Sequence, residues 1–203
     1  HNGTVLFAAT APNGTELWRT DGTRIGTRVV KDIRPGSGSS SPNLYYAAVI
    51  GSDYYFRATD GINGTELWRT DGTPAGTVML YDLNIGPASS RPDDLFAAGG
   101  SIYFEADEGY GLEHCVFDGT NTYSIADLRP GSASSSPGDW VALASGDVLF
   151  SATNGNGFGA AGRELFITDG TPAGTRLLAD IEQGVDASSP MWLTALANGT
   201  ILL

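Results

Sequence analysis

The chain is poor in the groups on which enzyme chemistry usually rests. It has one cysteine, Cys115, in 203 residues, so no disulfide can form within it. The small disulfide-stapled scaffold is excluded, although export is not. Its two histidines are His1, at the terminus, and His114. Lys31 is the only lysine, and the formal net charge is −12. That balance argues against nucleic acid or an anionic membrane surface as a partner. No apolar run approaches the ~20 residues needed to span a bilayer, so no membrane insertion is expected. Helical periodicity nowhere extends beyond about two turns. No serine stands in a nucleophile-elbow setting, and no DxDxDG calcium loop occurs. The chain starts with His rather than Met and shows no signal peptide, which suggests a mature or trimmed piece of a longer product.

Glycine is what the chain has in plenty, at 28 residues, with 10 prolines and 10% aromatics. This profile suits many short strands and frequent turns. The order within it is a repeat. ELWRTDGT stands at Glu16–Thr23 and again, unchanged, at Glu66–Thr73. ELFITDGT follows at Glu164–Thr171, and a worn copy, EHCVFDGT, at Glu113–Thr120. Leu, Trp and Thr favour a strand, and the run is too short for a packed helix. Asp-Gly then supplies a turn, since Asp bonds its own backbone and Gly accepts positive φ. RVVKDI, VMLYDL and RLLADI resume strand character. ELWRTDGT is therefore the first arm and turn of a β-hairpin.

Each copy is preceded by an aromatic strand: VLFAAT, YYFRAT, IYFEAD and VLFSAT. Each return strand ends at an Asp (Asp32, Asp82, Asp127, Asp180). A Gly follows each of these (Gly36, Gly86, Gly131, Gly184), then a Ser-rich segment closing on a Pro (Pro42, Pro92, Pro137, Pro190). An Ala-rich strand comes next: NLYYAAV, DLFAAGG, DWVALAS or MWLTALA. Four strands in a period of 45–53 residues are the mark of a propeller blade.

The expected fold is all-β: a β-propeller-like array of four four-stranded repeats in one domain, 1–203. The repeats lie near 3–50, 51–99, 100–145 and 146–197, and 198–203 begins a further strand. Short Gly turns join the Ala-rich strand to the aromatic one, so the Ser-rich segments should cross between blades. The cut gives whole blades near 43–86, 93–131 and 138–184. One blade is expected to be completed by joining N- and C-terminal strands, with NGTVLF and NGTILL competing for one slot. Exchange of those strands between chains would give self-association into a homo-oligomer, filament or surface layer.

The residues resemble the ELWxxDGT repeat proteins, whose repeats read ELWxTDGTxxGTxxVxDIxPGxxSSxPxxL. Glu16–Leu44 fits almost throughout and Glu66–Leu95 nearly so. Glu164–Leu193 fits with Phe166 for Trp and Gln183 for Pro, and Glu113–Trp140 departs most. The resemblance covers essentially the whole chain. It implies a secreted or surface protein of propeller-like form, and it brings no catalytic residues.

No catalytic constellation emerges from the residues themselves. His114 and Cys115 are adjacent on a strand and must point to opposite faces, so they cannot act as a pair. Cys115 falls in a Trp position and should fill core, as should Trp18, Trp68 and Phe166. The recurrent Asp residues, Asp21, Asp71, Asp118 and Asp169, read as turn caps, because calcium needs six to eight oxygens converging on one point. No cofactor is expected, with calcium as the alternative. The repeated Glu (Glu16, Glu66, Glu113, Glu164) reads as a structural acceptor, since a glycosidase needs two carboxylates about 5–10 Å apart across a cleft.

Four Asn-Gly-Thr sequons make Asn2, Asn13, Asn63 and Asn198 candidates for N-linked glycan. The Ser/Pro segments are candidates for O-linked sugar. An insertion in the fourth repeat, Asn154–Arg163, is the one bespoke loop, with Asn154, Phe158 and Arg163 as a candidate ligand site beside Trp140 and Trp192. The expected function is a non-enzymatic extracellular or cell-surface structural or adhesive module, glycosylated and self-assembling. The alternative is a carbohydrate-binding or carbohydrate-processing propeller.

Overall fold

The computed structural model describes residues 3–155, 162–184, 186–195 and 201–202. Among them all regular secondary structure is β-strand. The first sheet holds β1 (Val5–Ala11), β2 (Gly14–Thr20) and β3 (Arg28–Lys31), and the second holds β4 (Asn43–Ile50), β5 (Asp53–Thr59), β6 (Thr65–Thr70) and β7 (Val78–Tyr81). The third contains β8 (Asp93–Ala98), β9 (Ser101–Asp107), β10 (Leu112–Phe117) and β11 (Thr122–Ala126). The fourth contains β12 (Gly138–Ala142), β13 (Val148–Thr153), β14 (Arg163–Thr168) and β15 (Arg176–Ala179). A short pair, β16 (Thr194–Ala195) and β17 (Ile201–Leu202), follows.

Each four-stranded sheet is a meander in chain order, with the Ala-rich strand at one edge and the return strand at the other. This is the strand order of a propeller blade. The Ser-rich segments are the connections between sheets, as their length and proline suggest. The sheets are open.

Contacts divide the chain into two compact units, His1–Leu95 and Phe96–Leu203, with the boundary inside β8. In the first unit Leu17, Val30 and Ile33 of the first repeat pack against Phe56, Ala58 and Trp68 of the second. In the second unit Leu128 packs with Phe150, Ala152 and Phe166 in the same manner. Within each unit, aliphatic residues of the earlier repeat thus meet the aromatic rings of the later one. Such apolar burial is the main favourable term in the fold.

The aromatic register follows from pairing along the hairpins. Phe7 lies opposite Trp18, Phe56 opposite Trp68, Phe104 opposite Cys115 and Phe150 opposite Phe166. Cys115 therefore fills a Trp position, as expected, and is fully buried. Trp68 and Phe166 are buried too, but Trp18 is only half-buried. Within its unit no sheet covers that face of β2, whereas Trp68 is covered by Leu17, Val30 and Ile33.

The expected joined blade would draw strands from both units. Among the described residues the first sheet has three strands, and β16 pairs with β17 (Thr194↔Leu202, Ala195↔Ile201). The physical reason is proximity in the chain. A hairpin partner a few residues away closes a much shorter loop than a partner at the far terminus.

Replacing Trp68 by Ala should cost about 3–5 kcal/mol, and Trp18→Ala clearly less. Urea unfolding of both variants measures this, and equal losses would contradict the packing described.

Candidate functional site

The most regular polar arrangement is built on the repeated Glu. Glu16 is fully buried. Its Oε2 accepts the Ile33 N–H at 2.9 Å and the Ser40 hydroxyl at 2.6 Å, and its Oε1 accepts the Ser40 N–H at 3.1 Å. Glu66 takes the same three donors from Leu83 and Ser90, Glu113 from Leu128 and Ser135, and Glu164 from Ile181 and Ser188. The carboxylate thus ties its hairpin to both ends of the crossing segment.

That segment is held from the other side as well. Ser40 and Ser135 lend their carbonyls to the N–H of Thr59 and Thr153, at 3.0 and 2.8 Å, on the aromatic strand of the next sheet. The carboxylates respond to this setting. Burial pushes Glu66 and Glu113 upward, against the pull of the Ser90 and Ser135 hydroxyls. Burial also acts on Glu164, but the bonds from Ser188 and Ile181 outweigh it and its value is lowered.

Two further features serve this clamp, and both escape a reading by motif. The residue before each Pro has positive φ: Ser41, Arg91, Ser136 and Ser189. Such a conformation is uncommon outside glycine. Each of these residues donates its N–H to the carbonyl just before the clamp Glu, at Thr15, Thr65, Leu112 and Arg163. The glycine two places before Glu allows the close approach. A Cβ on Gly14 would stand 2.2 Å from Gly38 O, and one on Gly64 1.8 Å from Ala88 O. Aligning the repeats on Glu would have revealed these glycines.

The recurrent Asp caps its own turn. Asp21 Oδ1 accepts the Thr23 N–H and hydroxyl at 2.9 and 2.7 Å, and the Thr23 hydroxyl accepts the Gly26 N–H at 2.9 Å. Asp71 and Asp169 repeat the pattern. The Thr hydroxyl and amide hold all three carboxyls below their ordinary value. Asp118 instead accepts the N–H groups of Thr120 and Asn121. Among the described residues no three His, Cys, Asp or Glu side chains group so as to hold a metal ion.

In the third repeat His114 stands where the others have Leu17, Leu67 and Leu165. It is fully buried, with its ring 4.3 Å from that of Phe150 and 4.8 Å from that of Trp140. Neither ring nitrogen has a hydrogen-bond partner, and burial lowers its pKa to about 3. Burial also pushes the Cys115 thiol well above its ordinary value. Both residues are fully buried in the core.

Of the candidate ligand loop only the ends, 154–155 and 162–163, lie among the described residues. Phe158 lies outside the described residues. Asn154 is buried. Arg163 is drawn into its own sheet, donating to Ser136 O and the Ser151 hydroxyl, each at 2.6 Å, with Asp139 3.7 Å away. Trp140 packs inward on His114 and Phe150, while Trp192 is 81% exposed.

Of the sequons, Asn2 and Asn198 lie outside the described residues. Asn13 and Asn63 are both partly exposed but occupy unlike turns. Asn13 sits in a two-residue turn between Ala11 and Gly14. Asn63 sits in a longer loop and donates its side-chain amide to Asp60 Oδ2 at 2.7 Å.

A pocket that the motifs gave no hint of lies in the first unit. It has a volume of about 130 Å³ and is lined by Arg19, Asp71, Tyr54, Leu6, Thr4 and Ser52 among others.

No family model matches the chain, and no curated protein sequence matches it. Among solved structures it is similar to a TolB candidate from Agrobacterium tumefaciens, at 13% identity and a TM-score of 0.43, over 83% of this chain and 59% of that one. It is similar to a prolyl endopeptidase at 14% identity and a TM-score of 0.48, over 98% of this chain and 30% of that one. It is also similar to an endo-arabinase from Bacteroides thetaiotaomicron VPI-5482, at 10% identity and a TM-score of 0.37, over 98% of this chain and 83% of that one. The chain thus spans 59% and 30% of the length of the first two. Likeness at this level assigns no residue a role.

Two outcomes are expected from the buried groups. Glu66→Gln sets an amide N–H₂ against donors from Leu83 or Ser90 and should cost about 1–3 kcal/mol, read from urea unfolding. His114 binds a proton in the unfolded chain near pH 6.5 and in the folded one only near 3. Its contribution is therefore complete above pH 6.5 and is lost toward pH 3, at up to about 1.4 kcal/mol per pH unit. The raised Glu66 and Glu113 act in the opposite sense, gaining relative stability in acid. Comparison with His114→Leu isolates the histidine: that variant should lose less stability between pH 7 and 5 than the parent. Parallel pH profiles would refute the assignment.

Proposed function

We propose that this chain is a non-enzymatic extracellular module, a repeat scaffold that serves a structural or adhesive role. The observation that supports it best is the destination of the recurrent polar groups. In every repeat the Glu carboxylate is occupied by its own crossing segment. In three repeats the Asp carboxylate is occupied by its own turn. A catalytic carboxylate must be free to meet a substrate proton, and these are engaged and, for Glu16, Glu66 and Glu164, sealed. The resemblance to the ELWxxDGT repeat proteins and the sequons at Asn13 and Asn63 support an extracellular setting. Self-assembly and glycan attachment belong to the same reading.

The test combines activity with stability. The purified chain is assayed against panels of aryl glycosides and chromogenic peptides, alongside Glu66→Gln and Glu113→Gln. No turnover is expected from any of them, with a lowered unfolding midpoint in both variants. Turnover by the parent that either variant abolishes without a change in midpoint would overturn the scaffold reading.

A further inference from the structure

The pocket beside Arg19 holds a guanidinium without the carboxylate that its counterpart has. In the second repeat Arg69 pairs with Asp53 at 3.3 Å. The registers are equivalent: Arg69 lies opposite Tyr55 and Arg19 opposite Leu6. Two residues before Tyr55 stands Asp53, and two before Leu6 stands Thr4. Arg19 donates one terminal nitrogen to Gly72 O at 3.1 Å; its Nε is buried with no partner, as is that of Arg69, so the Nε does not set the two apart and the carboxylate does. Among the described residues Arg19 makes no ion pair of its own, with Asp71 lining the same pocket and Asp21 near enough to feel its charge; an anionic ligand in direct contact would supply the pairing that Arg69 has.

The rest of the lining narrows the class. Asp71 also lines the pocket, and its hydrogen bonds from Thr73 hold it ionised. A ligand with several negative charges would be repelled by it and by the net charge of −12. A neutral polyol could accept a hydrogen bond from Arg19 but would bring no negative charge into contact with it. A ligand with one carboxylate for Arg19 and neighbouring hydroxyls, one of them donating to Asp71, satisfies both. Thr4 and Ser52 offer further hydroxyl partners, while Leu6 and Tyr54 offer an apolar wall for a C–H face. A volume of about 130 Å³ leaves room for the carboxylate end of one sugar ring. We propose that this pocket binds a uronic-acid residue of an acidic glycan, with Arg19 as the carboxylate-binding group.

The inference stands apart from the scaffold reading, since turnover by the chain would say nothing about this pocket. The test is an NMR titration of the whole chain with sodium glucuronate, with glucose and sodium acetate as comparisons. Thr4→Asp supplies Arg19 with the carboxylate that Arg69 already has, so it keeps the fold while filling the site's charge requirement. Arg19→Gln removes the cation. Saturable binding of glucuronate by the parent is expected, weaker by about tenfold or more in both variants, the size of one lost charge-assisted contact. Glucose and acetate should each bind at least about tenfold more weakly than glucuronate. No saturable binding by the parent, or equal affinity in Thr4→Asp, would overturn the site. Acetate or glucose matching glucuronate would overturn the assignment to an acidic sugar.

Discussion

A buried carboxylate organises each repeat. Hairpins are local and form readily, but a stack of sheets needs its connecting segments pinned, and these are rich in Ser and Gly with little apolar surface to bury. The clamp Glu solves this by accepting two backbone N–H groups and a Ser hydroxyl at once. A carboxylate in such a setting is costly to bury, and three donors offset the cost. The same Ser then bonds the next sheet through its carbonyl. One side chain thus couples hairpin, crossing and neighbouring sheet, and apolar packing between sheets acts on a backbone already held in place.

Much of this could be read from the letters. The period, the hairpin at ELWRTDGT and the crossing role of the Ser-rich segments follow from spacing and turn chemistry, and the sheets have the expected order. The structural role of Glu was legible, but its partners were not. They lie 17 and 24 residues away, and only the fold brings Ile33 and Ser40 to Glu16. The positive φ at Ser41 and its equivalents was hidden because Ser before Pro gives no local sign of it. Trp18 shows a different limit. Its letters match those around Trp68, yet burial depends on a neighbouring sheet, which a repeat motif does not encode. At the C-terminal end β16 pairs with the nearby β17, since a complementary pattern does not outweigh a nearer partner.

The candidate sites divide in the same way. The insertion near Arg163 drew notice as the unusual loop, but its arginine serves its own sheet. The pocket at Arg19 arises from a residue that looks ordinary, Thr4, and becomes visible only when the registers of two hairpins are laid together. Departures from a repeat are more informative once each position has a known partner.

The third repeat lacks two residues in its hairpin, and the loss is confined to the turn. Glu113 reaches Leu128 and Ser135 at sequence separations of 15 and 22, against 17 and 24 in the other repeats, with bond lengths that scarcely change. The hairpin tip is therefore mechanically uncoupled from the clamp. A foreign peptide spliced between Thr120 and Asn121 would hang from a scaffold that does not register its length, which makes this tip the natural point for displaying an epitope or a tether.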